Sequence, residues 1–341
     1  MSIVQDLYAD QFGTHIGKYS ERLKWTKGTE TLSQAPLLHL QSVTIASKGV
    51  SISADAIAAC CERGIPIHFI DRSGDSYASL YAAGLGATVL TRRAQLEAFN
   101  DVRGCTIGLA IVEGKIINQA STLKYVAKSR KDSAPIHYEQ LRETAVTIEE
   151  QTVRLDELRN KPLEALRGSL IAIEGYAANL YWGALRIVIP ETYNWTARVG
   201  RGATDPVNSL LNYGYGILYG QIERAIVLAG LDPYAGFIHT DRPGKPSLVL
   251  DLIEEFRQVA VDRLVVGLVN RNFEVRQTEH GQLDDETRHT FADKVLEHLD
   301  ATVRYQGKRY PIRSVIQAQA RSLAAFLRDE RDQYQPYKAE W

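Results

Sequence analysis

The chain has 341 residues, of which 45% are hydrophobic and 24% charged, and its formal net charge is −1. These values are typical of a globular protein and exclude a strongly basic chain, so any nucleic-acid partner would need a local basic surface. The length predicts two domains. The odd number of cysteines (Cys60, Cys61 and Cys105) and their spacing predict reduced thiols rather than a metal site. No basic-then-apolar leader and no apolar run of about 20 residues are present, so we expect a cytoplasmic protein without membrane association.

Residues 1–87 predict a small β-rich, β-sandwich-like domain. The stretches SVTIAS and VSIS, joined by Lys48–Gly49, have the β-branched content and the glycine of a hairpin. Ser53 is expected to cap a short helix that Gly64 ends. The apolar stretch IPIHFID predicts a buried strand, and Asp71–Gly74 predicts a turn after it.

Residues 88–341 show helical periodicity and predict a larger, all-α catalytic domain, so the fold class is α+β. The glycine-containing stretch AAGLGA, residues 82–87, is the predicted joint. Helices are expected over about 92–128, from about 138 through about 185, and over about 207–230, 247–270, 285–302 and 311–330. The stretch 190–206 lacks periodicity and predicts a long loop.

Glu174 stands out because its neighbours at three and four residues are apolar, namely Leu170, Ile171, Ala177 and Ala178. A carboxylate on such a face needs a partner. Two interpretations are open. Glu174 is either an acid at the edge of the core, paired with an arginine, or a metal ligand or general base.

The segment GFIHTDRPGKPSLVLDLIEEFR, residues 236–257, places His239 near Asp251, Glu254 and Glu255. Asp251 and Glu254 are predicted to share one helical face. A helix N-terminus favours anions and most histidines are structural, so the segment alone permits a structural interpretation. Together with Glu174, it would supply two carboxylates and an imidazole, which suit Mg²⁺ or Mn²⁺ and phosphodiester chemistry.

Other catalytic motifs are absent from the sequence, which has no HExxH zinc helix, no phosphate-binding P-loop and no G-x-S-x-G nucleophile turn. Basic residues surround the acidic candidates and are possible contacts for a DNA backbone. They are Arg198, Arg201, Arg242, Lys245 and Arg257. Tyrosines in NYGYGILYG, Tyr219 among them, could stack on bases or belong to the core.

These pieces resemble the CRISPR-associated protein one family, the DNA integrases and endonucleases of spacer acquisition. In the first domain the resemblance is carried by PLLHLQSVTIASKGVSISADAIAACCERGIPIHFIDRSG. In the second it is carried by GKIINQASTLKYV, IEGYAANLYW, DPVNSLLNYGYGILYG and the segment 236–257. The resemblance implies that Glu174, His239 and Glu254 are catalytic ligands of Mg²⁺ or Mn²⁺, and that Asp251 is an auxiliary acidic group near the ion.

The resemblance also implies a function and partners. The function is metal-dependent insertion of captured foreign DNA into a CRISPR array by transesterification, with double-stranded and branched DNA as substrates. The partners are a second copy of the chain, paired through the β domain, and a dimer of the ferredoxin-fold CRISPR-associated protein two in a heterohexamer. Two alternatives are a stand-alone divalent-metal nuclease for branched DNA and a non-catalytic architectural DNA-binding subunit.

Overall fold

The computed structural model describes residues 5–81, 89–159, 161–200, 202–240 and 242–340. Its amino-terminal part contains two four-stranded sheets. The first consists, in spatial order, of β1 (Asp6–Ala9), β5 (Ser42–Ile45), β7 (Ile67–Ile70) and β8 (Ser76–Leu80). The second consists of β4 (Glu30–Pro36), β3 (Arg22–Lys27), β2 (His15–Tyr19) and β6 (Ser51–Ile52). Apolar side chains of both sheets and of helix α1 (Ala54–Glu62) form one buried cluster, as expected of a β-sandwich-like arrangement.

The predicted hairpin across Lys48–Gly49 is wrong. Strand β5 pairs in parallel with β1 and β7, whereas β6 pairs in parallel with β2 of the other sheet. The turn therefore carries the chain from one sheet to the other. Both β5 and β6 pair with strands that are not their neighbours in sequence, and the turn between β5 and β6 does not indicate those partners.

The other local predictions in this part are confirmed. The Ser53 hydroxyl caps α1 by accepting a hydrogen bond from the backbone N–H of Ala56. Gly64 follows the helix with a φ of +64°, a conformation that favours glycine. The Asp71 carboxylate accepts hydrogen bonds from the backbone N–H groups of Ser73 and Asp75 and so closes the predicted turn.

The carboxy-terminal part is mostly helical. Its helices are α2 (Val89–Ala98), α3 (Val102–Lys128), α4 (Pro135–Asp156), α5 (Leu163–Arg186), α6 (Pro206–Leu228), α7 (Ser247–Leu252), α8 (Arg263–Val269), α9 (Asp285–Asp300) and α10 (Ile312–Leu327). Between α7 and α8 lie a 3-10 turn, Ile253–Glu255, and a π-helical turn, Gln258–Asp262.

The structure divides three of the predicted helical stretches and adds a hairpin. Residues 92–128 are divided between α2 and α3, and residues 247–270 among α7, the two turns and α8. The helix expected from about residue 138 is in fact two helices, α4 and α5, and Pro162 precedes the second. A hairpin of β9 (Thr302–Tyr305) and β10 (Lys308–Pro311) interrupts the helices before α10. Its turn residues, Gln306 and Gly307, both have positive φ, which matches the right-handed twist of a hairpin.

The first sheet packs on the helical part through glycines. An added Cβ at Gly216 of α6 would lie 1.6 Å from the carbonyl oxygen of Gly74. Gly74 itself has a φ of +87°, and an added Cβ there would lie 2.7 Å from the Cα of Tyr213. The turn after β7 and helix α6 thus touch backbone to backbone, an approach that only glycine allows.

The predicted fold class is confirmed, because a small two-sheet domain precedes a mostly helical one. The predicted boundary at residues 87 and 88 falls within 82–88, outside the described residues, and stays a prediction. Within the described ranges, no helix has the length and apolar character needed to cross a membrane.

Candidate active site

Glu174 is paired with a lysine of another helix. It lies near the middle of α5, with its side chain 27% exposed. The ammonium group of Lys115, from α3, contacts the Glu174 carboxylate directly. The sequence predicts a partner for this acid, and the partner is a lysine instead of the expected arginine.

Glu254 meets the same lysine. Its Oε2 lies 2.6 Å from Nζ of Lys115, and its Oε1 accepts a hydrogen bond from Nε of Arg257 at 3.0 Å. Burial raises the pKa of the Glu254 carboxyl, but the charges of Arg257 and Lys115 outweigh it and lower the pKa to about 2. Glu254 is therefore ionised at neutral pH, and one ammonium group joins it to Glu174.

His239 is held by Asp251. Its ring Nδ1 lies 2.7 Å from Oδ1 of Asp251, and its backbone N–H donates to the same oxygen at 3.0 Å. The other oxygen of Asp251 accepts the backbone N–H groups of Phe237 and Ile238. Asp251 is fully buried, whereas the His239 side chain is one-third exposed. A ring oriented through Nδ1 presents Nε2 to any ligand.

The prediction that Asp251 and Glu254 share one acidic face is wrong. Asp251 lies at the end of α7 and binds the backbone of residues 237–239, whereas Glu254 lies in the 3-10 turn and contacts α3. The helix changes pitch between them, so spacing in an α-helix does not apply. Asp251 orients His239, and its role as an auxiliary acidic group near an ion stays a prediction.

Glu255 faces away from Glu254 and binds the last residues of the chain. Its carboxylate accepts hydrogen bonds from the hydroxyl of Tyr334, the backbone N–H of Tyr337 and the amide of Gln319. Burial nevertheless raises the pKa of Glu255 to about 7. The amide of Asn118 donates to the carbonyls of Glu255 and Tyr337, so the chain end and α3 fix the turn that carries Glu254.

A second buried acid, Asp262, lies behind Arg257. Its carboxylate accepts hydrogen bonds from the hydroxyls of Tyr181 and Tyr215. Burial raises the pKa of Asp262 to about 6 against these two bonds. The guanidinium of Arg257 lies 4.4 Å from the ring centre of Tyr215, so the network also supports the arginine that pairs with Glu254.

A divalent ion is implied by the resemblance, and the residues present fit one only in part. Within the described residues, no three His, Cys, Asp or Glu side chains lie close enough to form a ready-made ion site. Two carboxylates and one imidazole are nevertheless a suitable donor set for Mg²⁺ or Mn²⁺. The ammonium of Lys115 also stands between Glu174 and Glu254 as a cation would. The assignment of these residues as ligands therefore stays a prediction.

The predicted DNA-binding residues lie in different surroundings. Arg242 is exposed and Lys245 half-buried, at the two ends of one tight turn. Arg198 bonds to Asn208 and Asn212 and lies over the ring of Tyr215, so much of it is engaged within the protein. Arg201 lies outside the described residues.

The aromatic candidate is Tyr219, which is half-buried against the helical core. Tyr213 and Tyr215, from the same stretch, are buried core residues. Core packing therefore accounts for much of the predicted aromatic stripe, and a role of Tyr219 in DNA binding stays a prediction.

Lys115 is the site residue that the sequence reasoning missed. It occurs in GKIINQ, and its preceding helical neighbours Ile111 and Val112 are apolar and buried. The criterion that singled out Glu174, a charge on an apolar helical face, applies only in part to Lys115, because its following neighbours Asn118 and Gln119 are polar.

Solved structures share this two-part fold. The protein is similar to a casposase bound to its integration product, with a TM-score of 0.81 at 21% identity over 99% of this chain and 95% of that one. It is also similar to a CAS1 protein from Thermotoga maritima, with a TM-score of 0.76 at 21% identity over 98% and 100%. The architecture is thus of the class found in Cas1 proteins and in a casposase.

Sequence comparison specifies the family. A family model described as "CRISPR associated protein Cas1" matches residues 7–297. The CRISPR-associated endonuclease Cas1 1 of Archaeoglobus fulgidus is 36% identical over 98% of this chain and 99% of that protein. The CRISPR-associated endonuclease Cas1 1 of Francisella tularensis subsp. novicida is 32% identical over 99% and 100%. The chain belongs to the Cas1 family.

Proposed function

We propose that this protein is a divalent-metal-dependent DNA endonuclease and integrase, which inserts captured DNA fragments into a CRISPR array by transesterification. The observation that supports it most directly is the meeting of Glu174 and Glu254, from separate segments, at one cationic group, with His239 near enough to influence the ionisation of Glu254. The similar proteins of Archaeoglobus and Francisella are named endonucleases, and the similar casposase is bound to an integration product.

In this proposal Glu174, Glu254 and His239 hold Mg²⁺ or Mn²⁺. When bound, such an ion stabilises the negative charge that develops on a phosphate during displacement. Asp251 fixes the ring of His239 so that Nε2 is presented to the site. Arg257 keeps the Glu254 carboxylate ionised and oriented.

The reaction is a displacement at phosphorus. In integration, the 3′-hydroxyl of the captured fragment forms a new ester with a phosphate of the repeat, and the original 3′-oxygen of the repeat leaves with a proton. Water in place of the hydroxyl gives cleavage, and branched DNA gives the reverse reaction. Arg242 and Lys245, on their turn beside His239, would hold the DNA backbone.

We also propose that a homodimer forms through the sheet domain. Phe12, Tyr19 and Leu38 are large apolar side chains of this domain, and they are 77%, 63% and 85% exposed. Side chains of this size and exposure are candidates for an interaction surface on this domain. The proposed assembly adds a dimer of the ferredoxin-fold CRISPR-associated protein two, and one similar structure is a Cas6-RT-Cas1–Cas2 complex, with a TM-score of 0.79.

The function can be tested with a supercoiled plasmid that carries a CRISPR repeat and with a short duplex that has free 3′-hydroxyls. We expect wild-type protein with Mn²⁺ to join the duplex to the repeat, and we expect His239→Ala or EDTA to abolish joining. His280→Ala, which removes an exposed histidine, is the matched control and should keep full activity.

The two alternative functions give different results in the same assay. Cleavage without joining would identify a stand-alone nuclease. DNA binding with neither reaction, in wild type and His239→Ala alike, would identify an architectural subunit. Either result would refute the proposed integrase.

A further inference from the structure

Lys115 is the residue at the centre of the candidate site. Its side chain is 12% exposed, and its ammonium contacts the carboxylates of Glu174 and Glu254, which come from two other segments. Oε2 of Glu254 is buried and lies 2.6 Å from Nζ of Lys115. One lysine therefore compensates two partly buried carboxylates.

Two cationic groups already face the two candidate carboxylates. Lys115 contacts both Glu174 and Glu254, and Arg257 contacts Glu254. A divalent cation that entered between the two carboxylates would be repelled by the ammonium of Lys115.

Geometry leads to the same conclusion. Nζ of Lys115 lies 2.6 Å from Oε2 of Glu254, and it also contacts Glu174. A bound Mg²⁺ would lie about 2.0–2.1 Å from its oxygen ligands and so would occupy much the same space. The ammonium and the ion cannot both lie between the two carboxylates.

We propose that Lys115 is an internal cation that holds Glu174 and Glu254 together in the metal-free protein, and that a divalent ion must displace its ammonium group to bind. This inference rests on the proposed function, because it assumes that these carboxylates are the ligands. The lysine has a flexible stem of four carbons, so its ammonium can leave while the helix stays in place.

The test compares Lys115→Met with Lys124→Met. Both variants remove a lysine of α3 that pairs with a glutamate. Lys124 lies nine residues after Lys115, and it pairs with Glu149 at 2.5 Å instead of with a candidate ligand. Mn²⁺ binding is measured from the electron paramagnetic resonance signal of free Mn²⁺, and melting temperature is measured in EDTA and in Mn²⁺.

We expect Lys115→Met to bind Mn²⁺ about tenfold more tightly than wild type, because the ion no longer has to break two partly buried ion pairs. In EDTA the same variant should melt at a lower temperature, since its carboxylates repel each other, and Mn²⁺ should restore its stability. Lys124→Met should bind Mn²⁺ as wild type does.

Two results separate the failure of this inference from the failure of the proposed function. Unchanged or weaker Mn²⁺ binding by Lys115→Met, while His239→Ala still abolishes binding, would overturn the inference alone. Mn²⁺ binding that is insensitive to His239→Ala in every background would overturn the proposed metal site, and the inference with it.

Discussion

Asp251 binds His239 twice, at the ring Nδ1 and at the backbone N–H, and both atoms contact the same carboxylate oxygen, Oδ1. The second oxygen binds the backbone just before the histidine, at Phe237 and Ile238. One buried side chain therefore sets both the position of this loop and the orientation of the imidazole. Because Asp251 comes from α7, only three residues before Glu254, it also ties the loop to the segment that carries Glu254.

This relationship predicts the effect of Asp251→Asn. The variant keeps the shape of the side chain but offers an amide where a carboxylate accepts bonds, so the ring loses its orientation. We expect a 10- to 100-fold loss of strand joining, roughly the cost of removing a carboxylate behind a metal-binding histidine. The loss should appear in a protein that is still folded by circular dichroism. Wild-type joining by the folded variant would contradict the prediction.

Salt dependence tests the turn beside His239. Arg242 and Lys245 form no ion pair with a described residue, so their charges are available for DNA phosphates. Replacing either residue with alanine should make the plot of log affinity against log salt concentration less steep by about 1, as expected for the loss of one phosphate contact. Arg276→Ala is the control, because Arg276 already pairs with Glu274 and Glu286. Equal slopes for Arg242→Ala, Lys245→Ala and wild type would place the turn outside the DNA interface.

Local chemistry made much of this fold predictable from the sequence. The Ser53 cap, the Gly64 terminus and the turn at Asp71 depend on side chains a few residues away, and all three were predicted correctly. The partner of β6 was not predictable, because it lies in another sheet and the Lys48–Gly49 turn carries no information about it.

The same distinction applies to the candidate site. Glu174, His239 and Glu254 could be singled out because their charges interrupt apolar surroundings or follow a distinctive turn. The link between Glu174 and Glu254 could not be predicted, since the lysine that joins them, Lys115, lies 59 residues before Glu174. The change of pitch after α7 also separates Asp251 from Glu254, and no local signal in the sequence indicated it.

Asp262 predicts a dependence of stability on pH. Burial raises its pKa to about 6 in the folded protein, from an ordinary value of 3.8. The folded state then binds more protons than the unfolded state between about pH 4 and 6, so the free energy of unfolding falls as pH rises through this range. The loss amounts to about 3 kcal/mol for a shift of this size.

Asp262→Asn removes this titration and keeps a side chain of similar shape. The free energy of unfolding of the variant, relative to wild type, should therefore increase between pH 4 and pH 7. Urea unfolding at several pH values measures it. Asp156→Asn, at an exposed position, controls for the loss of one carboxylate and should show no such trend. If the difference in unfolding free energy between Asp262→Asn and wild type stays constant with pH, Asp262 does not have a raised pKa in the folded protein.

The contact between Gly216 and Gly74 predicts opposite effects for two glycine-to-alanine changes in helices. Alanine is favoured over glycine inside a helix by about 1 kcal/mol, so Gly183→Ala, which meets no atom within 4 Å, should stabilise the protein by up to that amount. Gly216→Ala places a methyl group against the carbonyl of Gly74, where backbone must move, and should destabilise by about 1–3 kcal/mol or more. Denaturant unfolding of both variants measures whether each change raises or lowers the free energy of unfolding. Stabilisation by Gly216→Ala would mean that the turn after β7 does not pack on α6 in solution.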